Sequence, residues 1–383
     1  MITALQQQFV GLFQTKPKVY RSPGRINIIG EHTDYNQGFV LPAAIEQAAY
    51  VAISPREDNE LHLYATSMQE MVVLKLEDLV PKTGAWSNYI AGVAEQMIRK
   101  GYPVRGFNLV LHSDVPIGAG LSSSAAIECA VAFALNECFG CGLDRLQLVH
   151  LAQKAEHEFA GVQCGIMDQF ASMMGKRNHL IKLDCRSLEY EYIPFQLGNH
   201  AMVLFDTNVK HSLASTAYNE RRQQCEQGVQ WIAAQLPHIH TLRDADMDML
   251  EQFVLPKDSL VYRRCAYVVK EIQRVDAACT ALQAGDLNKL GQLMYETHAG
   301  LSMDYEVSCT ELNLLVDLVK ARPGVIGARM MGGGFGGCTL NLVESDQVEE
   351  LIRTVQISYE RATNLPLNYY LVSAADGSGR VDH

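Results

Sequence analysis

The stretch Pro116-Ile117-Gly118-Ala119-Gly120-Leu121-Ser122-Ser123-Ser124-Ala125-Ala126 constrains this chain more than any other. It follows the apolar run 107–112, read as a buried strand, and precedes 125–139, read as a buried helix. Gly118 and Gly120 permit a sharp turn and a close approach of the backbone to a ligand. Three serines then open the helix, where unpaired N–H groups and the positive end of the helix dipole face outward and suit an anion. A helix N-cap needs one such residue, not three. The turn is not a P-loop, because no Lys-Ser/Thr pair follows the glycines. Nor is it a dinucleotide fingerprint, because Ser123 stands where a third glycine would. The alternative is a capped helix after a tight turn.

An anion would have to be held by a local site. Lys and Arg number 32 against 43 Asp and Glu, a formal charge of −11. That balance offers no general attraction to nucleic acid or to an anionic membrane. No stretch reaches the ~20 apolar residues of a membrane span. The opening MITALQQQFVGLF has no basic region ahead of a long apolar core, so no signal peptide is expected. Ten cysteines in no pattern point to a reducing compartment, the cytoplasm. Cys138 and Cys141 have CxxC spacing but lack a second pair or nearby histidines, and read as ordinary thiols near a helix end.

The 383 residues predict two domains at roughly 150 residues per domain. Strands are expected at 25–28, 48–54, 62–65 and 71–75. Trp86, Tyr89, Ile90, Val93 and Met97 have helical spacing, ending near Gly101. Asp144 is a plausible N-cap for a helix running to about Phe159. A central strand is expected at 201–206, helices dominate 215–301, and strands return at 325–331 and 339–343. The change in texture places the boundary near residue 200, giving domains 1–200 and 201–383.

Two further motifs carry chemistry. In Arg25-Ile26-Asn27-Ile28-Ile29-Gly30-Glu31-His32-Thr33-Asp34-Tyr35-Asn36, polar groups crowd beside an apolar run. Carboxylates accept hydrogen bonds from hydroxyls, so the cluster suits a polyol better than an anion. The HxD spacing is weak ground for a metal site, and a solvated loop remains an alternative on these residues alone. Met331-Gly332-Gly333-Gly334-Phe335-Gly336-Gly337-Cys338 has five glycines in six positions. That density is costly in chain entropy and means backbone packed against a ligand or another backbone, unless the loop is simply flexible. The flanking Met330, Met331 and Leu340 argue against a solvated linker.

Together the three motifs resemble those of the galactokinase family of the GHMP kinase superfamily. Residues 116–126 are similar to its phosphate loop and 331–338 to its C-terminal glycine motif. Residues 23–36 resemble the galactokinase signature almost position for position; Ile26 and Ile28 for Val and Leu, and Ser22 for Ala, keep shape and polarity. Gly165-Ile166-Met167-Asp168-Gln169 and Tyr218-Asn219-Glu220-Arg221-Arg222 are similar to further segments, so the likeness runs through nearly the whole chain. It implies an α+β fold of two domains, with the active site in the cleft between them. The N-terminal α/β domain would be of a ribosomal-protein type, and the C-terminal α+β domain ferredoxin-like. A left-handed crossover around the phosphate loop is also implied, against the usual hand. The activity implied is ATP- and Mg²⁺-dependent phosphorylation of the anomeric hydroxyl of galactose. No nucleic acid, membrane or obligate protein partner is implied, and a monomer is expected.

The resemblance also assigns roles. Phosphoryl transfer needs positioning, charge neutralisation and removal of a proton. Asp168, on the residues alone one Asp in a glycine-bearing loop, matches the catalytic base. Arg25 matches its cationic partner, which would keep it ionised. Glu31, His32, Asp34, Asp168 and Tyr218 match sugar-binding positions. Gly118, Ala119, Gly120, Leu121, Ser122, Ser123 and Ser124 match the triphosphate cradle. Ser124 and Glu156 match the Mg²⁺ positions, where Glu156 would otherwise read as a solvated helix charge. Trp86 is either adenine-proximal or a core aromatic. Two competing readings are a kinase of N-acetylgalactosamine or another sugar, and a galactose and ATP sensor without turnover. The intact Ser122-Ser123-Ser124-Ala125-Ala126 stands against the sensor.

Overall fold

A computed structural model describes residues 1–209 and 214–381. Its largest sheet has six strands in the order Gly379–Arg380, Lys18–Asn27, Pro42–Pro55, Phe107–Ser113, Glu60–Ala65, Glu70–Lys75. Pro42–Pro55 and Phe107–Ser113 are buried on both faces, which is why they read as near-continuous apolar runs and not as alternation. One face is covered by Leu5 and Phe9 of the helix Ile2–Phe13, the other by the apolar helix Ser123–Phe139 and its neighbours. Glu60–Ala65 and Phe107–Ser113 run parallel, with the helix Asn88–Arg99 between them in sequence.

A second sheet has the order Val325–Met330, Cys338–Glu344, His200–Asp206, Asn368–Val372, all antiparallel. With the helices Thr310–Lys320 and Val348–Thr363, this is the ferredoxin-like arrangement. Alternation sets its two faces. Val203 and Phe205 pack on Leu315, Val319, Val355 and Tyr359 of the two helices. Leu204, Leu340 and Leu342 join the core of the first sheet. A third, three-stranded sheet is formed by Phe39–Val40, His179–Asp184 and Tyr190–Pro194. After Val372 the chain returns to the first sheet, where Ser378 Oγ meets Ser22 Oγ at 2.8 Å.

Between the sheets in sequence lie the helices Ala214–Ala233, Met247–Phe253, Ser259–Gln283 and Leu287–Ala299. Asp246, Asp258 and Asp286 cap the last three through side-chain oxygens, which explains where each begins. Asp144 caps Arg145–Ala155 with a full capping box, but that helix does not run regularly to Phe159. A π-helical turn, Glu156–Ala160, ends it and turns Glu156 and Phe159 inward. Among the described residues no helix is long and apolar enough to cross a membrane.

Candidate active site

The end of the strand Lys18–Asn27 is fixed to the glycine-serine turn, backbone against backbone. A side chain at Gly24 would put its Cβ 2.6 Å from the Leu121 carbonyl oxygen. The next residue, Arg25, donates its N–H to that same oxygen at 3.1 Å. The Arg25 side chain then has little freedom. Nη1 donates to the Gly120 carbonyl at 2.6 Å, while Nε and Nη2 make a two-pronged contact with Asp168 Oδ1 and Oδ2, both at 2.9 Å.

Asp168 does not sit in a loop, as the sequence suggested. It lies in the first turn of the short helix Met167–Met174, whose Met167, Phe170, Ala171 and Met173 are buried. Eight residues give too little periodicity to read against the preceding glycine. Ser122 Oγ donates to Asp168 Oδ2 at 2.5 Å. Ser122 is therefore not a side-chain cap. It occupies the N-cap position in left-handed geometry at φ 59°, and no side chain caps the helix Ser123–Phe139. The outward N–H groups of that helix remain for a ligand.

Asp168 and Arg25 line a cavity of about 190 Å³ together with Glu31, His32, Asp34, Glu156, Tyr218, Gly332 and Gly333. All five expected sugar-binding positions meet here. Glu31 is braced from behind, because Oε1 accepts from Arg329 Nη2 at 2.7 Å and from the Gly332 N–H at 2.9 Å. Burial alone would push Glu31 up, but Arg329, Arg25 and the Gly332 N–H outweigh it and hold the carboxyl below its ordinary range. Desolvation in the cleft, and then the charge of Asp168, push Asp34 up to about 7. Burial pushes His32 down to about 4.

The five-glycine stretch forms the turn between Val325–Met330 and Cys338–Glu344 and packs on backbone, not solvent. A Cβ at Gly334, where φ is +85°, would lie 2.1 Å from the Val307 oxygen. One at Gly332 would lie 3.3 Å from the Gly120 oxygen, so this turn closes over the glycine-serine turn.

A larger cavity of about 690 Å³ opens on the other side of the serines. Pro81, Ala85, Trp86, Tyr89, Val115 and Phe159 give it apolar walls, and Ser123 and Ser124 stand at its end. This size and lining suit a flat heteroaromatic ligand. Trp86 lies in this wall ahead of the helix Asn88–Arg99, and its indole N–H donates to Glu70 at 2.9 Å. Ala119 and Leu121 turn their side chains into the core, leaving only their backbone to a ligand.

Ser124 and Glu156 link the two cavities. Ser124 Oγ donates to Glu156 Oε1 at 2.7 Å, and Gln169 Nε2 donates to Oε2 at 2.5 Å. Glu156 is buried, so the solvated reading fails. Its burial lifts the carboxyl above the ordinary range, against the pull of the Ser124 hydrogen bond. Among the described residues no cluster of three or more His, Cys, Asp or Glu could hold a metal ion unaided. Two hard oxygens beside the uncapped N-terminus of the helix Ser123–Phe139 fit Mg²⁺, which takes one or two protein ligands and fills its shell with phosphate and water. A cation would also relieve the cost of burying Glu156.

Four contributors escaped the sequence reading. Arg329 braces Glu31, and its signal was a lone charge in the apolar run 325–331. Gln169 braces Glu156 from the position after Asp168. Tyr35, inside the 25–36 motif but given no role there, and Tyr305, with no signal beyond being aromatic, pack on His32.

Residues 7–55 match the family description "Galactokinase galactose-binding signature", 88–176 "GHMP kinases N terminal domain" and 278–361 "GHMP kinases C terminal". A galactokinase of Chloroflexus aggregans is 43% identical over 363 residues, covering 94% of this chain and 92% of that protein. One of Fusobacterium nucleatum is 37% identical over 390 residues, covering both chains completely. The crystal structure of Lactococcus lactis galactokinase complexed with galactose superposes with a TM-score of 0.95 at 35% identity, covering 99% of this chain and 100% of that one. A mevalonate kinase of Methanococcus jannaschii shares the fold alone, with a TM-score of 0.67 at 17% identity over 95% of this chain and 100% of that one.

Proposed function

This chain belongs to the galactokinase family, and from that premise we propose how its two cavities transfer the γ-phosphoryl group of ATP to the anomeric hydroxyl of galactose. The observation that carries the reading is the placing of Asp168. It is gripped by Arg25 and Ser122 at the wall of a cavity fit for one sugar ring, beside serines that open a helix toward a second, apolar cavity.

A carboxylate has about four acceptor sites. Three on Asp168 are taken by Arg25 Nε, Arg25 Nη2 and Ser122 Oγ, which leaves one on Oδ1. That site accepts the proton of the anomeric hydroxyl. The sugar oxygen bonds to the γ-phosphorus, the bond from that phosphorus to the bridging oxygen breaks, and ADP leaves with the electron pair. Arg25 holds Asp168 in place and sets positive charge beside the transferring group. Glu31, His32, Asp34 and Tyr218 orient the remaining hydroxyls. The backbone from Gly118 to Ser124 cradles the phosphates, and the adenine lies against Trp86 and Tyr89. Ser124 and Glu156 would hold Mg²⁺, which when bound neutralises phosphate charge.

We divide the chain near residue 200, with five strands of the six-stranded sheet before it and the four-stranded sheet after it. We assign the reaction to the cytoplasm, where the ten free thiols stay reduced, with a single chain as the working unit. The test is ATP consumption across a panel of hexoses, with the phosphorylated position read by phosphorus NMR. Galactose 1-phosphate is the expected product. Preference for a sugar substituted at the second carbon, or tight binding of sugar and ATP without ADP release, would each overturn the reading.

A further inference from the structure

His32 is 4% exposed, and its two ring nitrogens are treated differently. Nδ1 lies 2.8 Å from Tyr35 Oη. Tyr35 Oη lies 2.7 Å from Tyr305 Oη, which in turn lies 3.2 Å from Cys225 Sγ. Tyr305 and Cys225 are fully buried. Nε2 is buried and makes no hydrogen bond of ordinary geometry among the described residues, though the Gly333 carbonyl lies against the ring, and the ring lines the 190 Å³ cavity. The ring itself is wedged between Tyr305 and Tyr218, with centroids 4.9 and 5.3 Å away.

The protons of such a row can run two ways. If they run outward from His32, the Nδ1–H donates to a phenol and the last phenol spends its O–H on sulfur, a weak acceptor. If they run inward, the thiol and both phenols each donate to a better acceptor, and the row ends on imidazole nitrogen, the strongest of all. The second order places the proton on Nε2. It also meets a need of the cavity, which is rich in acceptors. Glu31, Asp34 and Asp168 present carboxyl oxygens, while the Arg25 guanidinium is spent on Asp168 and Gly120. A sugar has ring and hydroxyl oxygens that must accept as well as donate.

We propose that Tyr35, Tyr305 and Cys225 are positioning residues whose hydrogen-bond row holds His32 as the Nε2–H tautomer, so that it donates to a sugar oxygen. The inference rests on the reading of the cavity as a hexose site. The row acts on sugar recognition and not on the phosphoryl donor, because no member of it lines the 690 Å³ cavity.

The test has two arms. Nitrogen-15 NMR of histidine-labelled protein, with His32 identified by its loss in His32→Gln, reads the tautomer directly. The wild type should show Nε2–H, and Tyr35→Phe should show a mixture or the other form. Steady-state kinetics form the second arm. Tyr305→Phe keeps the ring against His32 and deletes one link, and Cys225→Ala deletes the thiol beyond it, which also meets Cys265 and Asn36. Each should raise KM for the sugar about three- to ten-fold, the weight of one hydrogen bond, with KM for ATP unchanged. A wild-type Nδ1–H tautomer, or an unchanged sugar KM in both variants, would overturn the proposal. Should the wild type phosphorylate no sugar, the hexose reading fails on its own, and the NMR arm still decides what the row does.

Discussion

Arg329 Nη2 meets Glu31 Oε1 at 2.7 Å, and neither side chain is more than 2% exposed. The guanidinium also donates to the backbone oxygens of Asn27, Ile28 and Met330. One side chain of the second sheet therefore fastens the strand that carries Arg25 to the turn that carries Glu31. Breaking such a pair from one side strands a buried charge and costs about 3–5 kcal/mol. Arg329→Met should lose stability on that order in urea denaturation, and Glu31→Gln should lose less. The pair has a pH signature too. The Glu31 carboxyl is held low, so its contribution is present above its unfolded value of about 4.3 and lost as pH falls through the folded value. Wild-type stability should drop in acid below that point, and Arg329→Met should flatten the drop.

Asp168→Asn keeps size and the Ser122 contact but removes the proton acceptor. A general base contributes about 10²- to 10⁴-fold, and kcat in a coupled ADP assay should fall within that range. Sugar affinity, measured by calorimetry, should change far less. Activity within a few-fold of wild type would remove Asp168 from the proton transfer.

Asp34 predicts a slope of opposite sign. Its carboxyl is pushed from 3.8 to about 7, first by desolvation and then by Asp168. Between those values the folded chain holds a proton that the unfolded chain has released. The Asp34 contribution to stability should therefore fall as pH rises from about 4 to 7 and level off above, while His32, pushed down to about 4 by burial, contributes the reverse slope. Asp34→Asn should remove the Asp34 share, so that wild type loses stability relative to the variant across that range. Melting temperatures across the range, in wild type and variant, decide the matter.

Much of this was legible in residues that must be what they are. The glycines and serines at 118–124 announced a close backbone approach, and the Gly332-to-Gly337 run announced backbone packing. Asp144 marked where its helix begins. What escaped was short or distant. The helix Met167–Met174 gives too few turns to reveal a period, so Asp168 read as a loop residue. The helix Ile2–Phe13 buries only Leu5 and Phe9, a pair and not a stripe. The contacts of Arg329 with Glu31 and of Tyr305 with Tyr35 join positions roughly 300 apart, and no local pattern encodes such a pairing.

Ser122 separates strain from function most cleanly. Its backbone is left-handed, at φ 59°, a conformation that costs a residue other than glycine about 1–3 kcal/mol when the surroundings enforce it. Its hydroxyl is spent on Asp168, not on capping the helix behind it. Ser122→Gly removes both the strain and the hydroxyl. It should therefore hold or gain stability, about 0 to 1 kcal/mol in denaturant melts, while kcat falls roughly ten-fold because Asp168 loses one of its two braces. Ser122→Ala removes the hydroxyl and keeps the strain, so it should match the glycine variant in rate and fall below it in stability. Were the two variants equally stable, the left-handed backbone would carry no cost at this position. Were both as active as wild type, Arg25 alone would suffice to hold Asp168.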